Sequence, residues 1–135
     1  QAEHILIEEN DTLVEFELGN LYLKPIKDTV VPKANNIACL DSKDIKFPLL
    51  LRKWKQGDYF YPLGMRKKKK LARFFIDQKL SLADKEKMWV LETNKKIIWV
   101  LGMRIDDRFK VTDSTRSVLR IELKVLDVAL HPLNK

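Results

Sequence analysis

The sequence predicts an α+β fold, mostly antiparallel strands in a β-sandwich-like mixed core with one or two short helices between them. Three observations predict it. Apolar and polar residues partly alternate through the first 50 residues, the period of half-buried strands. Leu71, Phe74 and Phe75 recur at spacings of three and four, which places them on one helical face. The stretch "SVLRIELKVL", Ser117 to Leu126, alternates again as a last strand.

The elements follow in order. "HILIE" (His4 to Glu8), "TLVEFEL" (Thr12 to Leu18) and "LYLKPI" (Leu21 to Ile26) are rich in β-branched and aromatic residues. Asn10-Asp11 and Gly19-Asn20 between them are turn chemistry, so a meander is expected. "DTVVPKANN" (Asp28 to Asn36) is a loop and the best candidate boundary. "IACLD" and "FPLLLRKW" are two more strands. Pro48 puts the second near a sheet edge or makes the proline its first residue. "QGDYFYPLG" (Gln56 to Gly64) is a loop. The helix face from Leu71 comes next, and Ser81 then caps a short second helix, "LADKEK". "MWVLET" and "KIIWVLGM" are strands joined at Thr93-Asn94-Lys95. Residues 1–47 form a strand-rich lead-in, 48–126 the main domain and 127–135 a loosely held tail.

Composition bounds the class. At 135 residues, 45% hydrophobic and 33% charged, the chain suits one compact domain or two small lobes sharing a core. No apolar run approaches the roughly 20 residues of a spanning helix. "QAEHILIEEN" lacks the basic start and apolar block of a secretory signal. The chain begins at Gln1 rather than at a methionine, so a segment of a longer protein is expected. One cysteine, Cys39, excludes an internal disulfide and suits a reducing compartment; its strand-like neighbours make it a buried apolar filler.

The net charge of +7 is concentrated. Arg52 to Lys79 holds ten Lys/Arg and two Asp/Glu; the other residues hold 16 and 17. A positive face of this kind points to a polyanion, most often nucleic acid. Arg66, Lys67, Lys68, Lys69 and Lys70 stand directly before the first helix, where the free N–H groups disfavour cations. An incoming phosphate would repair that mismatch. Arg104, Arg108, Lys110 and Arg116 extend the positive surface. Lys53 and Lys55 interleave with Trp54, Tyr59, Phe60 and Tyr61, a pattern that can supply base stacking. Trp54 and Phe60 are read as core, and Tyr59 and Tyr61 stay open between core and surface. Trp89 and Trp99 are core. Asp106 and Asp107 are adjacent and point to opposite faces of a strand, so a cap or an arginine partner suits them better than a metal. His4 and His131 have no ligand partner at metal-site spacing. No Gly-rich phosphate loop, nucleophile elbow, His/Cys cluster or dinucleotide fingerprint is present. The residues describe a polyanion-binding module.

From Leu50 to Leu123 the sequence closely resembles the C-terminal domain of bacterial tRNA(Ile)-lysidine synthetase. The resemblance rests on "R-x-W-x-x-G-D" (Arg52 to Asp58), "P-L-G-M" (Pro62 to Met65), "K-K-L-x-x-F-F-I-D-x-K" (Lys69 to Lys79) and "G-M-R-I-D-D-R" (Gly102 to Arg108). It implies that 48–126 is a tRNA-binding C-terminal domain. It implies a parent enzyme that uses ATP, with magnesium, to attach lysine to the wobble cytidine of the CAU-anticodon tRNA(Ile). The nucleotide loop "S-G-G-x-D-S" of the family's N-terminal catalytic domain is absent here, so no catalytic or cofactor-binding residue is expected in this chain. The implied partners are that tRNA and the catalytic domain, in the cytoplasm, with no membrane and with a homodimer open. The implied RNA contacts are Arg66 to Lys70, Arg73, Arg104 and Arg108, joined by Lys53 and Arg116 from the charge pattern. A lysine-rich run favours backbone gripping over base reading. The rival expectation is a structural or dimerisation domain of the same enzyme. A membrane patch is disfavoured, because no long amphipathic run accompanies Phe74 and Phe75. The large subunit of phenylalanyl-tRNA synthetase offers a fold analogy.

Overall fold

Alternation along the strands leaves two apolar sheet faces, and these close on each other. The structure is a computed structural model and describes residues 4–126. The expected tail at 127–135, with His131, lies outside the described residues. The chain opens with β1 (His4–Ile7), β2 (Leu13–Phe16), β3 (Gly19–Ile26) and β4 (Ile37–Asp41). Next come β5 (Leu49–Lys53), the two-residue strands β6 (Tyr59–Phe60) and β7 (Lys69–Lys70), and helices α1 (Leu71–Asp77) and α2 (Leu82–Glu86). β8 (Trp89–Thr93), β9 (Lys96–Val100), β10 (Arg104–Ile105) and β11 (Val118–Val125) follow.

One sheet has the order β1-β5-β8-β9-β10 and the other β2-β3-β11-β4; β6 and β7 form a separate ribbon. All these pairings are antiparallel. The α+β architecture is as expected. Between the sheets lies a cluster that includes Ile7, Leu21, Leu40, Leu51, Trp89, Trp99 and Ile121. It draws on both sides of position 48. A second cluster covers the outer face of the five-stranded sheet. There Leu71, Phe74 and Phe75 of α1 pack with Phe60 onto Val90, Ile97 and Val100. Full burial of such a side chain contributes roughly 1.5–3 kcal/mol, so this small cluster is enough to seat a seven-residue helix. No helix among the described residues is long and apolar enough to cross a membrane. Cys39 is buried and unpaired, and burial pushes its thiol pKa up.

Three expectations change. The first strands are not a meander. β1 pairs with β5, through Leu6 with Leu50 and Ile7 with Leu49, and leaves β2 in the other sheet. The Asn10-Asp11 turn is real, with Asp11 accepting from the Glu8 N–H at 2.8 Å, but it passes the chain from one sheet to the other. Gly19 is the first residue of β3 rather than a turn; the turn is Glu17-Leu18. Gly19 is there because β11 comes close: a Cβ would sit 2.2 Å from the Lys124 carbonyl oxygen, at φ +151°. Pro48 stands one residue before β5, which is an interior strand, so the proline removes no ladder bond. The Asp28 to Asn36 loop joins β3 to β4, and both border β11.

Gly19→Ala should destabilise the protein by about 2–3 kcal/mol, because backbone on both sides must separate. Urea unfolding with an unchanged m-value checks this.

Candidate nucleic-acid interface

The basic segment is mounted on a buried cation. Arg52 on β5 donates two bonds to the Asp58 carboxylate, at 2.9 and 3.0 Å, and one to Glu92 on β8 at 2.7 Å. Burial alone would lower the Arg52 pKa; the bonds to Asp58 and Glu92 outweigh it and raise the value. Asp58 also accepts from the Lys55 N–H at 2.8 Å, and its carbonyl accepts from the Leu71 N–H at 2.9 Å. One residue therefore closes the loop after β5 and begins α1. Trp54 donates to the Lys85 carbonyl at 2.6 Å and packs edge-on against Phe75. Phe60 is fully buried.

Asp106 is the second anchor. Its carboxylate is fully buried and accepts from the Tyr61 N–H at 2.9 Å and the Arg108 N–H at 2.8 Å. Two guanidinium bonds from Arg108, both 3.0 Å, complete the set. It caps the short 3-10 turn Asp107–Phe109. Asp107 accepts from the Gly64 N–H at 2.9 Å, and its own N–H donates to the Tyr61 carbonyl at 2.6 Å. The Asp-Asp pair thus acts as a cap and an arginine partner, and together the two pin the loop from Tyr61 to Gly64. No group of three or more His, Cys, Asp or Glu among the described residues is arranged to hold a metal. The Gly64 N–H lowers the Asp107 pKa most; burial opposes it, and Lys110 and Arg66 add to it. For Arg108, burial works downward, and the Asp106 bonds reverse it to a raised value.

Loop, ribbon and 3-10 turn present one surface. The Arg108 guanidinium lies 4.3 Å from the centre of the Tyr61 ring, and the Lys68 ammonium 4.7 Å from that of Tyr59. The two tyrosines meet edge-to-face at 6.4 Å. Tyr59 is exposed and Tyr61 half-buried. Arg66, Lys67, Lys68 and Lys70 are exposed and pair with no carboxylate within 4.0 Å among the described residues. Lys69 and Arg73 both pair with Asp77. Arg104 covers the Phe74 ring at 5.2 Å. Lys53 is placed elsewhere. It follows Leu49 and Leu51 on the face toward the second sheet and pairs with Glu17 at 3.4 Å. Arg116 lines a separate depression with Asp41 and Lys43.

The basic run is not simply a free loop before a helix. Lys69 and Lys70 form β7 and pair with Phe60 and Tyr59. Lys70 is the N-cap of α1 without a side-chain cap bond, and the Leu71 N–H is already taken by Asp58. Arg66, Lys67 and Lys68 are therefore offered by the loop that leads into the ribbon, and Lys70 by the ribbon itself. Lys95 and Lys96, which the sequence reading did not single out, line a cleft with Tyr59 and Arg108. Only the sheet pairing brings them there.

The profile of the family described as "TilS substrate C-terminal domain" matches residues 49–123, more than half of the chain. The chain belongs to this family. A tRNA(Ile)-lysidine synthase of Parabacteroides distasonis is 46% identical over 92 residues, covering 68% of this chain and 21% of that protein. One from Bacteroides thetaiotaomicron is 32% identical over 111 residues, covering 82% and 26%. The chain thus spans about a fifth to a quarter of these relatives' length. The crystal structure of a TilS C-terminal domain superposes with TM-score 0.74 at 17% identity, over 91% of this chain and 98% of that one. An N-terminal fragment of the phenylalanyl-tRNA synthetase β-subunit from Pyrococcus horikoshii gives 0.55 at 18% identity, over 63% and 27%. Both show a shared fold. In this TilS C-terminal domain, Arg52, Asp58 and Asp106 of the matched motifs are buried, while Lys70, Asp77, Lys79 and Arg108 are exposed.

Asp106→Ala should cost about 2–3 kcal/mol, since it strands a part-buried arginine and two backbone donors; chemical denaturation measures it. Asp107 gives a pH dependence. Its folded value is depressed, so its stabilisation is complete above the unfolded carboxyl's pKa, about 4, and is lost as pH falls through the folded value. The Gly64 amide protection factor should therefore fall in acid, and Asp107→Asn should lack that dependence.

Proposed function

We propose that this chain is the tRNA-gripping C-terminal part of a tRNA(Ile)-lysidine synthetase. In this reading an N-terminal catalytic domain of the same protein uses ATP and magnesium to attach lysine to the wobble cytidine of the CAU-anticodon tRNA(Ile). The present domain grips the tRNA body or acceptor stem. Family membership supports the parent activity. The observation that carries the RNA reading is the set of exposed cations, Arg66, Lys67, Lys68 and Lys70, beside Tyr59 and the Tyr61–Arg108 stack. Ammonium groups without carboxylate partners are free to displace counterions from a phosphate backbone. Tyrosine faces among them suit unpaired bases. The anchors at Asp58 and Asp106 fix the surface before RNA arrives, so little ordering cost falls on binding. Arg104 and Arg73 stand at its flank, and lysine's point charge favours backbone contacts over base edges.

The test is an anisotropy titration of this chain with the CAU-anticodon tRNA(Ile) and with an elongator methionine tRNA, from about 50 to about 200 mM salt. Four phosphate contacts predict a loss of affinity on the order of a hundred-fold across that range. Preference for tRNA(Ile) assigns selection to this domain, and equal binding makes it a general clamp. Absence of binding at both salts overturns the RNA reading in favour of a structural role.

A further inference from the structure

A cleft of about 90 Å³ opens on the outer face of the five-stranded sheet, beside the tyrosine surface. Gly57 borders it from the loop after β5 and Tyr59 from β6, with Lys95 in the turn between β8 and β9 and Lys96 at the start of β9. Arg108 belongs to it as well as to the Tyr61 stack, so cleft and surface are continuous. Arg52 and Asp58 line it but satisfy each other. Arg108 is shared with Asp106. Lys95 and Lys96 are exposed and pair with no carboxylate within 4.0 Å among the described residues. The cleft's uncompensated charge is therefore positive, and it comes from the hairpin tip.

The tip breaks a local preference. Asn94 and Lys95 have φ of 48° and 68°, the left-handed pair of a two-residue hairpin turn. Such turns favour asparagine followed by glycine. Lysine stands where glycine would fit best, and it faces a cleft shared with an arginine and an exposed tyrosine. Gly57 across the cleft has open space where a Cβ would be, so an approaching group meets no side chain there.

We propose that the Lys95–Lys96 tip is a second phosphate-contacting element of the interface, and that the cleft between it and Tyr59 seats one RNA backbone phosphate. This rests on the RNA-binding reading above and extends it to a segment outside the basic run. Lys95 and Lys96 bring the ammonium groups, and Arg108 joins the seated phosphate to the strand lying over Tyr61.

The test is the double variant Lys95→Asn, Lys96→Gln. Asparagine tolerates the left-handed position, and glutamine keeps most of the side-chain length, so the turn survives. Lys124→Gln, on β11 of the other sheet, is the control for charge alone. For tRNA binding by anisotropy, the double variant should lower the slope of log K against log salt by about one unit, the share of one phosphate contact. It should weaken affinity about tenfold at about 0.1 M salt, and Lys124→Gln should change neither by half as much. A double variant with the wild-type slope overturns this inference while leaving the RNA reading intact. An equal loss in Lys124→Gln also overturns it, because the effect would then be general charge. Failure of the wild-type chain to bind RNA overturns both.

Discussion

The guanidinium of Arg52 is the constraint on which the functional surface depends. A buried cation must find acceptors for its donors, because the penalty for stranding it far exceeds the net value of any single bond. Here the acceptors come from two different places. Glu92 lies across the sheet on β8, and Asp58 lies six residues on, at the end of a loop. Satisfying the cation therefore fixes the loop to the sheet. The same Asp58 lends its carbonyl to the first turn of α1, so the helix inherits its position from the ion pair. Asp106 repeats the device for the loop that follows β6. Carboxylates in this positive region serve as fasteners, and the cations that remain are the ones presented to solvent.

Much of the fold was legible because it is local. Period-two alternation marks the strands, the Leu71–Phe74–Phe75 spacing marks α1, and Ser81 caps α2 as its position suggests, accepting from the Asp84 N–H at 3.0 Å. Partner choice was not legible. β1 leaves its sequence neighbour for β5, and β11 enters between β3 and β4, whose sequence positions lie far from it. Gly19 shows why a local rule misleads. Its turn chemistry is genuine, yet the requirement it meets is the approach of the Lys124 backbone. The expected exposure of the basic run and the capping by Asp106 were legible for the same local reasons. Lys53 was expected among the RNA contacts, yet it alternates in phase with the buried Leu49 and Leu51, a signal that the charge pattern hid. The pairing of Lys69 with Asp77 needed the ribbon to lie against the helix, and nothing in the spacing gives that.

The matched motifs divide by role. In "R-x-W-x-x-G-D" the arginine, tryptophan and aspartate are all spent on internal bonds. In "G-M-R-I-D-D-R" the aspartates hold backbone, and the last arginine is both held and offered, with one side on Asp106 and a face on Tyr61. Such a motif specifies the shape of a platform. What the platform touches is left to the exposed residues around it, where lysine count and position can vary without disturbing the fold.

The place of β11 bears on how the chain is made. β4 is an edge strand whose ladder partner is β11, paired from Ile37 with Glu122 to Asp41 with Val118. On the ribosome, the segment from Val118 is synthesised long after Asp41. At roughly 5–20 residues per second the interval is several seconds. During that time β4 is without its ladder, while β5, β8 and β9 already have one another. The four-stranded sheet can therefore be completed only after Val118–Val125 has been synthesised, whereas the partners β1, β5, β8 and β9 are all made before it.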